Sequence, residues 1–441
     1  MTSPACAPRP GNSCGRSEAA TSEARETMIA TRLRAFLFCA LLGLGLGAAA
    51  QQPAKDAAPG PNDGCLMCHG DAGAKAASGK SVAVDAKQFA ASVHGSMSLP
   101  CAACHTDPGF GQMPHGAVKP AQCDSCHDKA VKDYAATVHG KARSGGNHVA
   151  ATCASCHGTH DIRKSSEPGS RTHRTNLEAT CAACHGNEAI IKQANLPGGN
   201  VAGMFHDSVH GQAMANKTAA KDAVPTCIGC HGVHDIRAKS DPESRVSRAN
   251  SPAMCATCHA GVKAEWEQSQ HGKLRHANVL QAPGCTDCHS THQITRHGDD
   301  KFALGVIDKC GNCHADFAGT YRDTFHGQVT QLGFVQIATC SSCHGAHQVL
   351  PKDNPLSKVS AQNRLATCQA CHPKANANFV SFDPHANKHS RERGQLLFFT
   401  NKFMEILLLG VFAFFGLHTL LWFFRSLKAV RERRAATPPR S

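Results

Sequence analysis

Aromatic residues are scarce in this chain: they make up 5% of its 441 positions, with two Trp and two Tyr. Charged residues are also few, at 18%, and the 33 acidic ones are outnumbered by 46 Lys and Arg. Much of the 41% apolar fraction is Ala, so side chains alone build a thin core. The length suggests about three domains, but this composition excludes an ordinary soluble enzyme with one large apolar core. What the chain has instead is 25 Cys and 29 His, far above globular usage. Disulfides, a metal array or a covalently attached group must organise it.

Twenty-two of the 25 Cys fall into one pattern, C-x-x-C-H. The pairs are Cys65 and Cys68, Cys101 and Cys104, Cys123 and Cys126, Cys153 and Cys156, Cys181 and Cys184, and Cys227 and Cys230. They continue with Cys255 and Cys258, Cys285 and Cys288, Cys310 and Cys313, Cys340 and Cys343, and Cys368 and Cys371. The eleven following histidines are His69, His105, His127, His157, His185, His231, His259, His289, His314, His344 and His372. This is the spacing of c-type haem attachment. The two thiols form thioethers to the porphyrin vinyl groups, and the adjacent His becomes the proximal iron ligand. A zinc site gathers four ligands and does not demand His directly after every second Cys; a disulfide needs no His. Eleven copies ending in His therefore point to eleven covalently attached haems c.

The three remaining Cys lie near the N-terminus. Cys39 sits in residues 28–50, which have the pattern of a secretory signal: Arg32 and Arg34, an apolar run from Ala35, then Ala48-Ala49-Ala50 before Gln51. Cys6 and Cys14 precede Met28, the expected true start. Cleavage after Ala50 leaves 22 Cys, two per haem. It also removes five Arg and three Glu, taking the formal charge from +13 to +11. Each haem brings a pair of propionates against a single net positive charge on its ferric iron and porphyrin. Eleven haems thus offset about eleven positive charges, and no nucleic-acid partner is expected.

Past residue 135 the sequence repeats a two-motif module. Each copy opens on His-Gly, at His139, His210, His271 or His326, and reaches its first C-x-x-C-H after 14 to 17 residues. Another His follows three residues beyond that motif's own: His160, His234, His292 and His347, in the strings CHGTHDI, CHGVHDI, CHSTHQI and CHGAHQV. A second motif lies 25 to 28 residues after the first. These eight extra histidines match the eight distal ligands that four modules need. His94, also followed by Gly, and His115 suit two of the three N-terminal haems. The last ligand is left open among His148, His173, His206, His276, His297, His385 and His389. Filled axial positions leave no open iron site for a substrate and favour electron transfer.

The expected fold is a multihaem cytochrome c: short α-helices and loops wrapped around covalent haems, in tandem two-haem modules, plus one transmembrane helix. Helical stretches over 130–138 and 262–270 each run into a His-Gly. Residues 1–50 form the upstream extension and signal, 51–135 a three-haem region, and 136–375 the four modules. A juxtamembrane linker covers 376–395, the membrane helix 396–425, and a basic tail 426–441.

Residues 406–424 carry no Asp, Glu, Lys or Arg and extend about 28 Å as a helix, enough to span a bilayer. Arg425, Lys428, Arg431, Arg433 and Arg434 follow, which by the positive-inside rule places the C-terminus in the cytoplasm. Haem attachment outside the cytoplasm agrees with that orientation, in the inner membrane. His418, within the span, is a candidate for binding quinone, ligating a b-type haem, or bonding to another helix.

The doubled strings CHGTHDI and CHGVHDI, with the SVHG strings at Ser92 and Ser208, resemble the periplasmic multihaem cytochromes with doubled CXXCH motifs, over about residues 60–375. The C-terminal segment resembles the anchors of cytochromes that work beside a membrane b-type cytochrome. The resemblance implies electron transfer between the quinone pool and periplasmic or outer-membrane cytochromes. The expected partners are therefore a b-type cytochrome or quinone-interacting subunit on one side and such cytochromes on the other. Anchored quinol-dehydrogenase cytochromes usually carry an N-terminal anchor and fewer haems, and this chain departs on both counts. Two other readings stand beside the carrier: a multihaem reductase or oxidase of a small nitrogen or sulfur compound, and a structural haem wire or filament subunit.

Overall fold

The computed structural model describes residues 60–436 except 108, 110, 111, 113, 114 and 217–222. The expected start at Met28, the signal and its cleavage site lie outside the described residues, as do the last five positions. Helices dominate, no strand lies among the described residues, and an isolated bridge joins Lys75 and Ser81. Before the C-terminal helix the α-helices are short, from four residues at Val93–Ser96 to twelve at Asp124–Ala135 and Asp300–Gly311.

A C-x-x-C-H motif places Cys, Cys and His at positions i, i+3 and i+4, which share one face of a helix. The helices Cys153–His157, Cys227–His231 and Cys340–His344 are such motifs and little else. Thr152 and Thr339 begin theirs with backbone N–H groups that donate to Ser155 Oγ at 3.0 Å and Ser342 Oγ at 3.1 Å. Each of the three ends at a glycine of positive φ, Gly158, Gly232 or Gly345. The module opening at His271 has Ser290 there at φ 68°, ψ −176°, a conformation that glycine adopts far more readily.

A second recurring unit carries the His-Gly strings. The helices Val138–Ser144, Val209–Ala215, Gln270–His276 and Phe325–Gln331 begin at Thr137, Ser208, Ser269 and Thr324, whose side chains accept from the backbone N–H of the glycine. A Cβ on Gly140, Gly211, Gly272 or Gly327 would collide with the backbone of the preceding helix, at the carbonyl oxygen of Tyr134, Phe205, Trp266 or Tyr321. The glycine thus allows two helices to meet at a sharp corner. The expected stretches over 130–138 and 262–270 accordingly end early, at Ala135 and Gln268, and the chain turns through the capping residue before restarting.

One backbone bond fastens each corner that is followed by another module to that module. Val93 N–H donates to Ile162 O at 2.8 Å, Val138 to Ile236 at 3.0 Å, Val209 to Ile294 at 2.8 Å and Gln270 to Val349 at 2.9 Å. Between the motifs of three modules an asparagine closes the loop: Asn176, Asn250 and Asn363 each donate to two backbone carbonyls. The module opening at His271 replaces this loop with the helix Asp300–Gly311.

The chain divides into two compact units, residues 1–86 with 100–103 and residues 87–99 with 104–441. In the described part of the first, the loop after the helix Asp63–His69 folds back so that His69 Nδ1 lies 2.7 Å from Val82 O. The second holds a thin core: Leu177, Val224, Ala282, Ile307, Ala318, Tyr321, Leu350 and Ala375 are its buried apolar side chains among the described residues.

The last helix runs unbroken from Gln395 to Ala436, with a best-stretch mean hydropathy of 2.2 and none of that stretch buried. It is long and apolar enough to cross a membrane. It continues past the expected end at residue 425 through the basic segment, whose Arg, Lys, Glu and Ala are good helix formers.

Candidate functional site

Ten histidines that follow a C-x-x-C face a second imidazole at a nearly constant separation. His127 meets His94 at 6.2 Å between ring centroids, His105 meets His160 at 6.2 Å, and His185 meets His139 at 6.2 Å. His157 lies 6.0 Å from His234, His259 6.3 Å from His210, and His231 5.9 Å from His292. His314 lies 6.3 Å from His271, His289 6.0 Å from His347, and His372 6.0 Å from His326. The tenth pair joins His344 to His385 at 6.1 Å.

The near-constancy of these separations has a simple chemical meaning. An imidazole nitrogen binds a first-row metal at about 2 Å, with its ring centroid about 1 Å further back. Two imidazoles on opposite faces of one iron therefore stand roughly 6 Å apart. The donors come in opposed twos beside a pair of thiols. Among the described residues no three of His, Cys, Asp and Glu converge as a metal-binding group. None of the motif cysteines is in a disulfide. The residues fit haem.

The pairing follows two rules. A His-Gly histidine faces the second motif of its own module, as His139 does His185. A C-H-x-x-H histidine faces the first motif of the preceding module, as His234 does His157. Each module is thereby interlocked with the next. His94 and His127 obey the first rule and His105 the second, so residues 94–127 behave as a shortened module ahead of the four.

Consecutive attachment helices also abut. Cys181 and Cys227 are neighbouring thiols, as are Cys255 and Cys285, and Cys310 and Cys340. Hydrogen bonds from the partner thiol pull Cys285 and Cys340 down to about 7. Cys123 is raised, first by burial and then by Cys153 beside it. Each of these pairs joins the second motif of one module to the first motif of the next. Burial lowers the basicity of His139, His157, His185, His210, His231, His271, His289, His292, His326 and His344. A neutral imidazole is the form that binds a metal.

The other candidate histidines have different surroundings. His115 Nδ1 lies 2.8 Å from Gly116 O. His206 bonds Glu178 at 2.8 Å, His173 bonds Thr175 at 2.7 Å, and His276 stands 3.5 Å from Glu267. His418 is exposed on the C-terminal helix, where the adjacent Thr419 donates to Phe415 O at 2.7 Å. The anchoring role of the Ile and Val ending the CHGTHDI-type strings escaped the sequence, whereas His385, in no repeat, was one of seven histidines left open and is the one set opposite a motif histidine.

A family model for cytochrome c3 matches residues 93–186, a stretch that opens at the His94 corner, holds four of the eleven motifs and closes just past His185. The match supports multihaem electron transfer with covalently bound haem c. No curated protein and no solved structure matches the chain.

Proposed function

We propose that the protein is a membrane-anchored undecahaem c-type cytochrome. It would pass electrons between the quinone pool, or a b-type cytochrome partner, and periplasmic or outer-membrane cytochromes. The observation that carries this reading is the set of opposed histidine pairs. Haem supplies a reversible one-electron change at iron, and two imidazoles leave that iron no position for a substrate. The protein's contribution is to hold each pair in place: buried Thr and Ser caps fix the distal helices, and interlocked modules fix the order of the sites. The neighbouring thiols that link the second motif of one module to the first motif of the next support a consecutive order of sites in the second unit.

The proximal ligands in this reading are the eleven motif histidines. The distal ones are His94, His139, His160, His210, His234, His271, His292, His326 and His347, with His115 retained for the N-terminal region. The C-terminal helix anchors the protein in the inner membrane, the haem region faces the periplasm, and the Arg-rich end faces the cytoplasm. His418 serves at the partner or quinone contact.

A pyridine haemochrome assay on the full chain, with electron paramagnetic resonance of the oxidised protein, tests this. Eleven covalent haems with only low-spin signals are expected. A resident high-spin haem, seen before any ligand is removed, would favour the reductase or oxidase reading. Absence of covalent haem would overturn both.

A further inference from the structure

The second pairing rule runs out at the last module. The first motif of each earlier module faces a C-H-x-x-H histidine supplied by the module that follows. After the module of His326 none follows, so the rule leaves His344 without a second ligand. The structure nevertheless sets a ring opposite His344, that of His385, in the segment leading to the C-terminal helix.

His385 is held by a local framework. Its Nδ1 lies 3.1 Å from Thr320 Oγ1, and that hydroxyl donates its own hydrogen to Phe317 O at 3.0 Å. The Thr320 oxygen must then accept, so the imidazole proton sits on Nδ1 and the lone pair on Nε2 is free for a metal. Phe317 packs edge-on against the His385 ring at 5.1 Å, and the Arg393 guanidinium lies over Phe317 at 4.8 Å. Arg393 also donates to His385 O at 3.1 Å, while Lys388 reaches Asp323 at 3.0 Å. His389, four residues on, is exposed.

Resting on the haem reading above, we infer that the iron carried by Cys340, Cys343 and His344 takes His385 as its second axial ligand. The juxtamembrane segment is thereby fastened to the haem region by a coordination bond, ten residues before the membrane helix begins at Gln395. Thr320 is the positioning residue that sets the tautomer. The last module thus borrows from the anchor segment what every other module borrows from its neighbour.

The test is electron paramagnetic resonance and redox titration of full-length holoprotein in detergent. Wild type is expected to be wholly low-spin. His385→Ala is expected to show one haem equivalent of high-spin signal, abolished by added imidazole. His385→Met is expected to stay low-spin and move one haem to higher potential, as thioether ligation does. It decides the matter if the alanine variant fails to mature. Thr320→Val is expected to shift that same haem, and His389→Ala to change nothing. A His385→Ala protein that stays wholly low-spin, a His385→Met protein with unchanged potentials, or a high-spin haem in His389→Ala overturns the inference. Wild type lacking low-spin haem would instead sink the underlying cytochrome reading.

Discussion

The imidazole of His105 faces that of His160, 6.2 Å away between centroids and tilted by 32°. His105 belongs to one C-x-x-C-H motif, whereas His160 stands three residues beyond the His of another, His157. The nearest motif in sequence is therefore not the one this histidine serves, and the consequence is measurable. His160→Ala paired with His105→Met should perturb one haem equivalent in total, because both act on the same iron. His160→Ala paired with His157→Met should perturb two. Spin counting on oxidised holoprotein separates the outcomes, and the reversed counts, two for the first pair and one for the second, would show that the ligands do not cross between modules.

Gly272→Ala should destabilise the holoprotein by about 2–3 kcal/mol, since the new methyl meets the Trp266 carbonyl at a corner with no room to relax. Because Gly272 follows His271, the loss should include ligation at the iron of His314. Thermal unfolding followed at a haem band, with the low-spin fraction as second readout, checks both effects. An unchanged melting temperature would mean the corner is looser than described.

Ser290→Gly should have the opposite sign. The other three modules place glycine at this helix end, and Ser290 holds a φ of 68° there. Relief of that strain, less the entropy glycine adds to the unfolded chain, should stabilise by about 1 kcal/mol. Denaturant titration against wild type measures it, and a destabilised variant would show that the serine side chain contributes something the backbone angles do not reveal.

Chain expressed without haem attachment should fail to fold. Its buried apolar side chains number eight among the described residues, three of them Ala, far too few to offset the conformational entropy of the second unit. Far-ultraviolet circular dichroism of haem-free protein should show little helix beyond that of the C-terminal segment. A cooperative thermal transition in such material would contradict the view that porphyrin is the core.

Truncation before Gln395 should convert a membrane-bound protein into a soluble one without changing its haem count or spin state, because His385 and Arg393 remain. Sedimentation after carbonate extraction, with a haemochrome assay on the supernatant, tests this. Loss of one low-spin haem on truncation would mean the helix itself helps position the juxtamembrane ligand.

Much of the site was legible because haem attachment is local chemistry. Two thiols and an imidazole at i, i+3 and i+4 must lie within one helical turn, so each motif reports a complete covalent site. The long apolar C-terminal helix was equally legible, since an uncharged run of 19 residues is a composition. The His-Gly and C-H-x-x-H strings announced eight of the extra histidines by repetition, and His94 by resemblance to them. Nothing of the kind marked His385, which sits in the unrepeated string SFDPHANKH.

What the sequence by itself determined is the number and spacing of the attachment motifs, the two-motif repeat and the apolar C-terminal run. Those depend on residues close together in the chain. Which second imidazole faces each motif histidine was decided only by the tertiary structure. An iron's far side accepts a ligand from any segment that reaches it, and sequence distance places no limit on that. Hence His234 crosses back to His157, and His385 closes a series that the repeat leaves one ligand short.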